Sequence, residues 1–228
     1  RAFAGAEPYS EDTRLRIEEL LHIDVYNSYG LSEMNGPGVA FECQCKDGLH
    51  IWEDGYIAEI VDPDTLEPLP DGEEGELVIT ILCRDAMPLL RYRTRDLTAF
   101  YTEPCACGRT HRRLRRIMGR SDDMLIINGV NVFPSQIEQA LMAMPEVGNN
   151  YLIIFDKEGA LDRLTVKTEV REDLFADDMR PLNMLREKIA KMLSQTIFIH
   201  PKVELVGGGT LPVSEGKAKR VEDRRPRV

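Results

Sequence analysis

No apolar run in this sequence approaches the roughly 18 residues that a membrane-spanning helix needs, which argues against a helical membrane protein. The start, Arg1-Ala2-Phe3-Ala4-Gly5-Ala6-Glu7-Pro8, has no initiator methionine, no signal-peptide apolar core and no cleavage pattern, and reads as a chain taken up mid-protein. Positive charge is in deficit. Twenty-nine basic residues against 39 acidic ones give a formal charge of −10, which argues against non-specific nucleic-acid binding, since that needs a broad basic face. The cysteines number five, an odd count without a secretory start, and point to a reducing, cytoplasmic location. What is present is ordinary for a globular protein: 228 residues, 43% hydrophobic and 30% charged, enough for one large domain or two modest ones.

Residues 12–21 carry the apolar spacing of a helix after the turn-like Pro8-Tyr9-Ser10. From Ile23 to Tyr101 the pattern becomes short β-rich runs between turn signals. Ile57–Val61 stops at Asp62-Pro63-Asp64, and Leu69–Gly75 punctuates before the run Glu76–Leu82. This predicts a small antiparallel, barrel-like module. Beyond Gly119-Arg120-Ser121 the order is a strand at 124–127, an Asn128-Gly129 turn, a helix to Met144, strands near 150–155 and 163–170, a helix near 181–194 and a strand near 202–206. Ser135 is the expected N-cap, with Glu138 completing a capping box. The fold class is thus mixed α+β: a β-rich module in 1–120, then a small α+β domain, 121–228, in the order β-α-β-β-α-β.

Two local basic clusters stand out, Arg109 to Arg120 and Lys217 to Arg227, and leave two readings open: a site for a small polyanion, or salt-bridge partners on a solvated surface. The cysteines form two Cys-x-Cys pairs, with Cys83 alone in an apolar segment and expected in the core. Cys43 and His50 lie seven apart around a Lys46-Asp47-Gly48 turn, and Cys105 and Cys107 fall on a later turn. Together these make a usual donor set for structural Zn²⁺, with Cys45 and His111 as alternative ligands. The bland alternative is free thiols.

The tail, Gly207-Gly208-Gly209-Thr210-Leu211-Pro212-Val213-Ser214-Glu215-Gly216-Lys217, combines glycines that let backbone N–H groups approach an anion with a mobile lysine charge. Read with Gly5-Ala6-Glu7-Pro8, Tyr29-Gly30-Leu31-Ser32-Glu33, Tyr92-Arg93-Thr94-Arg95-Asp96-Leu97 and Gly119-Arg120-Ser121-Asp122-Asp123, in that order, it resembles the later motifs of the acyl-adenylate-forming superfamily. The stretches PLLRYRTRDLT, CACGRTHRR, GRSDDMLIINGVNVFPSQIE and LPVSEGKAKRV are similar to the phenylacetate–CoA ligase family nearly throughout.

The resemblance implies an ATP-dependent ligase. The carboxylate of a small aryl acid, an arylacetic acid such as phenylacetate, attacks the α-phosphate of ATP, pyrophosphate leaves, and the thiol of CoA displaces AMP to give the aryl-acetyl (phenylacetyl) CoA thioester. It implies that Glu33 holds Mg²⁺, that Asp96 accepts hydrogen bonds from ribose hydroxyls with Arg120 beside it, and that Gly5, Ala6, Glu7 and Pro8 line the adenine pocket with Tyr29, Gly30 and Ser32. Lys217 is implied as the charge that offsets the adenylation transition state. Asp122 matches the hinge of a mobile C-terminal lid, and Gly129 its pantetheine-facing turn. A homodimer is left open.

Two departures matter. Arg95 replaces a glycine usual in this motif, which costs backbone strain if φ there is positive. The superfamily's Ser/Thr/Gly-rich phosphate loop is also absent from the chain, so these 228 residues alone are expected to be inactive. The competing readings are an enzyme that adenylylates a redox cofactor and a non-catalytic nucleotide-binding or interaction remnant.

Overall fold

A computed structural model describes residues 1–7, 9–159, 161–171, 179–212 and 219–225. The chain divides into two units: Arg1–Pro8 with Arg14–Asp123, and Tyr9–Thr13 with Met124–Val228. Among the described residues no helix is long and apolar enough to cross a membrane.

The first unit holds β1 (Ala2–Ala4), most of α1 (Glu11–Leu21) and β2 (Val25–Leu31), with β1 and β2 parallel neighbours. Glu18 of α1 fixes the helix end, accepting from the backbone N–H of Val25 at 2.8 Å and from the Lys46 ammonium at 2.5 Å. Antiparallel strands β3 (Gly36–Glu42), β4 (Leu49–Ile51) and, later in the chain, β8 (Arg113–Leu114) complete a five-stranded sheet in the order β1-β2-β3-β4-β8. A second sheet, in the order β5-β6-β7-β9, is formed by β5 (Tyr56–Val61), β6 (Gly75–Ile81), β7 (Tyr92–Thr98) and β9 (Gly119–Arg120). The Asp62-Pro63-Asp64 signal works as read: Asp62 Oδ1 accepts from the N–H groups of Asp64 and Thr65, an Asx turn that ends β5. Met34, Val39, Leu49, Ile60, Ile79 and Phe100 are among the buried side chains of this unit's core.

Among the described residues the expected barrel does not form. The strands lie in two open sheets, each with its own edges. Alternation and turn chemistry report strands and hairpins, whereas closure needs pairing of first and last strands and a matched stagger, which no local pattern encodes. Cys83, expected in the core, is exposed, because β6 ends at Ile81 and the chain leaves the sheet there.

In the second unit β10 (Leu125–Ile127) and β11 (Val130–Val132) form a hairpin of their own. Then come α2 (Pro134–Met142), a long hairpin of β12 (Val147–Glu158) and β13 (Leu161–Val170), α3 (Arg180–Ile197), β14 (Lys202–Val206) and β15 (Val221–Asp223). The main sheet runs β14-β13-β12-β15, with β14 parallel to β13 and β15 parallel to β12. The strand expected to open this domain therefore belongs to the separate hairpin, and β15 takes the sheet edge.

Spacing explains the helices. Leu182, Leu185, Ile189, Leu193 and Ile197 recur every three or four residues along α3 and are all buried. Ile137, Ala140 and Leu141 do the same on α2. The expected N-cap of α2 moves two residues upstream of Ser135, to Phe133. Pro134 at the first helical position has no N–H to satisfy and a preset φ, so the helix starts there. Gln136, not Glu138, then reaches back to the Phe133 N–H at 3.0 Å.

Candidate active site

β1 and β2 run parallel, and β1 ends at Ala4 opposite Asn27, while β2 continues to Leu31. Gly5-Ala6-Glu7 follows β1, with Gly5 against Ser28 of β2. β1–β2 is the parallel pair of this otherwise antiparallel sheet, and at parallel strands the C-terminal edge is the one where ligands bind. Gly5 is demanded by packing, since a Cβ there would collide with the carbonyl oxygen and hydroxyl of Ser28. Beyond β2 the chain turns through a short 3-10 segment, Ser32–Met34, which leaves Ser32 and Glu33 exposed while Met34 is fully buried. Arg84 donates to the Glu33 carbonyl at 2.6 Å and fixes that turn.

Asp96 reaches this edge from β7. The Tyr29 hydroxyl donates to Asp96 Oδ2 at 2.5 Å, across 67 residues of sequence. The Arg120 guanidinium lies 3.5 Å from Oδ1, and the two residues are register partners on β7 and β9. The Asp96 backbone N–H is tied to the Thr94 hydroxyl, which in turn donates to the Leu77 carbonyl at 2.8 Å. Burial raises the Asp96 pKa, opposed by the Tyr29 bond and the Arg120 charge. Burial and Asp96 raise the Tyr29 pKa in turn, so the phenol stays a donor. Tyr92 is raised first by burial and then by the charge of Glu33, with Arg120 and Asp96 also acting on it. Arg120 itself is held by Asp122, Nε and Nη2 each 2.9 Å from a carboxylate oxygen. Tyr29, Asp96, Arg120 and Asp122 thus form one connected group, and Glu33 acts on the neighbouring Tyr92.

Sequence reasoning missed the support beneath this group. Glu76 sits in the apolar run of β6 and its side chain is fully buried. It accepts from Arg93 Nε at 2.8 Å and Nη2 at 2.7 Å, and from the Ser121 hydroxyl at 3.2 Å, with Arg95 at 3.7 Å. The available signal was a lone carboxylate inside an otherwise apolar strand.

Arg95 does adopt positive φ, +69°. Replacing it with glycine removes a left-handed strain of about 1 kcal/mol but adds unfolded-state entropy of similar size, so the expected change in stability is under ~0.5 kcal/mol. Arg95→Val, β-branched at the same φ, is expected to cost about 1–2 kcal/mol more. Denaturant titration of both variants checks this. Equal stability of the valine and glycine forms would show that the backbone relaxes away from positive φ.

Gly129 belongs to the second unit, where Asn128 (φ +48°) and Gly129 (φ +84°) make the tight turn between β10 and β11. Both central residues at positive φ is the turn geometry that Asn-Gly favours. The Asn128 side chain docks the hairpin through paired hydrogen bonds with the backbone of Asp162, at 2.9 and 3.0 Å. Pro8 and Lys217 lie outside the described residues. Much of the basic clusters is matched by carboxylates: Arg112 by Asp71, the buried Arg113 by Asp47, Arg224 by Glu222, and Arg225 by Asp162 and Asp223. Salt bridges thus engage these residues.

Apart from this group, Cys43, His50, Cys105 and Cys107 converge, with one donor atom from each lying within 4.8 Å of the others. Cys43 follows β3, His50 is on β4, and the two later cysteines lie on the connection from β7 to β8. Burial pushes the Cys43 thiol up to about 12, while the Arg109 backbone N–H and side chain bring Cys107 down to about 6. Burial lowers the His50 pKa, favouring neutral imidazole.

Two family profiles match: the AMP-binding enzyme over residues 1–81 and the AMP-binding enzyme C-terminal domain over residues 129–225. The chain is 48% identical over 239 residues to the phenylacetate–coenzyme A ligase of Thermus thermophilus, covering 98% of this chain and 54% of that protein. It is 45% identical over 222 residues to the Escherichia coli ligase of the same name, covering 97% and 50%. The chain belongs to the AMP-binding enzymes, as a homologue of the phenylacetate–coenzyme A ligases. A solved 2-hydroxyisobutyryl-CoA ligase, in the postadenylation state with an acyl-AMP, superposes with a TM-score of 0.89 at 33% identity, over 98% of this chain and 48% of that one. The same ligase in the thioesterification state with CoA gives 0.53 at 32% identity, over 99% and 48%. The family resemblance reaches both units, and the chain spans about half the length of the curated relatives it matches.

Proposed function

We propose that the protein to which this chain contributes is an AMP-forming ligase that joins an arylacetic acid, phenylacetate or a close analogue, to CoA through an acyl-adenylate. The observation that carries the reading is the convergence of Tyr29, Asp96 and Arg120 at the C-terminal part of β2, just past the end of β1, in a chain matching phenylacetate ligases over nearly all its length.

In this reading the nucleotide lies along that edge. Asp96 accepts from the ribose hydroxyls; Tyr29 holds one of its oxygens and so fixes the direction of the other. Arg120 balances the carboxylate charge, and Gly5-Ala6-Glu7-Pro8 with Gly30 and Ser32 borders the base. Such an active site works mainly by positioning and by neutralising charge as pyrophosphate departs. Glu33 is an exposed hard-oxygen donor on a fixed turn, which suits Mg²⁺ that keeps most of its waters. Bound there, the ion would neutralise phosphate charge. Lys217 supplies a further positive charge during adenylation. Asp122, next to the division between the units at Asp123/Met124, serves as the hinge for exchanging the two half-reactions, with Gly129 facing the CoA arm in the second.

The test is product analysis with the complete enzyme. ATP, phenylacetate and CoA should give AMP, pyrophosphate and phenylacetyl-CoA in equal amounts, with no AMP when the acid is omitted. AMP left covalently on an acceptor, or no turnover with any aryl acid, overturns the reading.

A further inference from the structure

The Cys43, His50, Cys105 and Cys107 group takes no part in the ligase chemistry, and its geometry stands independently of the adenylation reading. Tetrahedral Zn²⁺, at about 2.3 Å from sulfur and 2.0–2.1 Å from nitrogen, places ligand atoms at edge distances of about 3.8 Å for S···S and about 3.6 Å for S···N. The protein holds Cys43 Sγ and Cys105 Sγ 3.7 Å apart, and Cys107 Sγ and His50 Nε2 3.4 Å apart. The sulfurs are far beyond the roughly 2.05 Å of a disulfide. None of the five cysteines forms a disulfide.

We infer that Cys43, His50, Cys105 and Cys107 form a closed tetrahedral zinc site that staples the β3–β4 hairpin to the β7–β8 connection. Three thiolates with one imidazole are a soft donor set that selects zinc over hard cations. Cys43, His50 and Cys105 are buried and Cys107 half-buried, so little water reaches the donors. Elements of an outer shell are in place. The Cys45 N–H points at Cys43 Sγ at 3.4 Å, and the Arg109 side chain interacts favourably with Cys107. Zn²⁺ with three thiolates and neutral imidazole carries a net −1 charge, which the Arg109 guanidinium offsets. The alternatives raised by sequence spacing do not join: neither Cys45 nor His111 belongs to the group. With all four positions supplied by side chains, no site remains for an activated water, and the ion contributes to folding. The site ties down chain whose regular structure is sparse, since β4 has three residues, β8 has two, and the connection carrying Cys105 and Cys107 is irregular.

The decisive measurement uses the whole 228-residue chain purified without chelator. Elemental analysis should find one zinc per chain. The chelator-stripped chain titrated with Co²⁺ should develop thiolate-to-cobalt charge transfer and the intense visible bands of tetrahedral Co²⁺, saturating at one equivalent. Cys45→Ser should keep both properties, whereas Cys105→Ser and His50→Ala should lose the tetrahedral spectrum and bound zinc. Should those variants fail to fold, the cobalt spectrum of the unmodified chain decides by itself. Absence of zinc together with weak octahedral cobalt bands, and free titration of all five thiols in the folded chain, would overturn the inference.

Discussion

Lys217→Ala in the complete enzyme is expected to lower the rate of acyl-adenylate formation by at least about 100-fold, the usual scale for removing one charge-stabilising donor from a transition state. That is about 2.7 kcal/mol of barrier. The lysine cation is needed where negative charge accumulates, as the acid attacks the α-phosphate and pyrophosphate leaves. Once the adenylate exists, that demand has passed, and thiol attack on the acyl carbon develops charge elsewhere. Thioester formation from supplied acyl-adenylate and CoA should therefore survive the substitution at close to its original rate. Rapid-quench measurement of each half-reaction separates them. Equal losses in both would show that Lys217 serves general folding or nucleotide retention, and the division of labour would fall.

The second large effect concerns stability. Glu76→Ala removes a fully buried carboxylate that receives both donors of the Arg93 fork and the Ser121 hydroxyl. Breaking such a pair by deleting one partner leaves a guanidinium without its counter-charge and a void in β6, an expected loss of roughly 3 kcal/mol. The pH dependence follows from the direction of the Glu76 shift. Burial alone would raise its pKa, but the Arg93 hydrogen bonds and charge outweigh burial and hold it below the ordinary value. A carboxylate lowered in the folded state stabilises fully above its unfolded pKa, near 4.5, and that contribution is lost as pH falls through the folded value. Denaturant titrations from pH 7 to pH 3 should show the wild type losing stability with acid and Glu76→Ala losing less. Parallel acid limbs would mean that Glu76 is not the group being titrated. Glu76→Gln, which keeps the volume but not the charge, should fall between the two at neutral pH.

Local chemistry wrote much of the second unit into the sequence. The three-and-four spacing from Leu182 to Ile197 needs no tertiary information to mark a helix, because a 3.6-residue period puts those side chains on one face. Asn128-Gly129 marks a tight hairpin for a similarly local reason, as few other residue pairs tolerate two positive φ values in succession. Local signals also misled. Ser135 looks like a better cap than Phe133 until Pro134 is allowed to fix the helix start. The alternating runs between 56 and 98 say strand, but not which strands become neighbours.

The order of the motifs along the chain, and hence the family, was determined by the sequence alone. So was the donor chemistry of the Cys/His set, because thiols and imidazoles are what they are wherever the chain places them. Only the tertiary structure decided who meets whom. The Tyr29 hydroxyl finds Asp96 across 67 residues, joining β2 and β7 of different sheets. Cys43 reaches Cys105 across 62 because β4 pairs with β8 and draws the two turns together. Glu76 is buried because β6 is central, between β5 and β7, where a lone carboxylate persists only beside a guanidinium. Spacing along a chain carries local periodicity, whereas these pairings depend on long-range strand order, and that is selected by burial of the whole core at once.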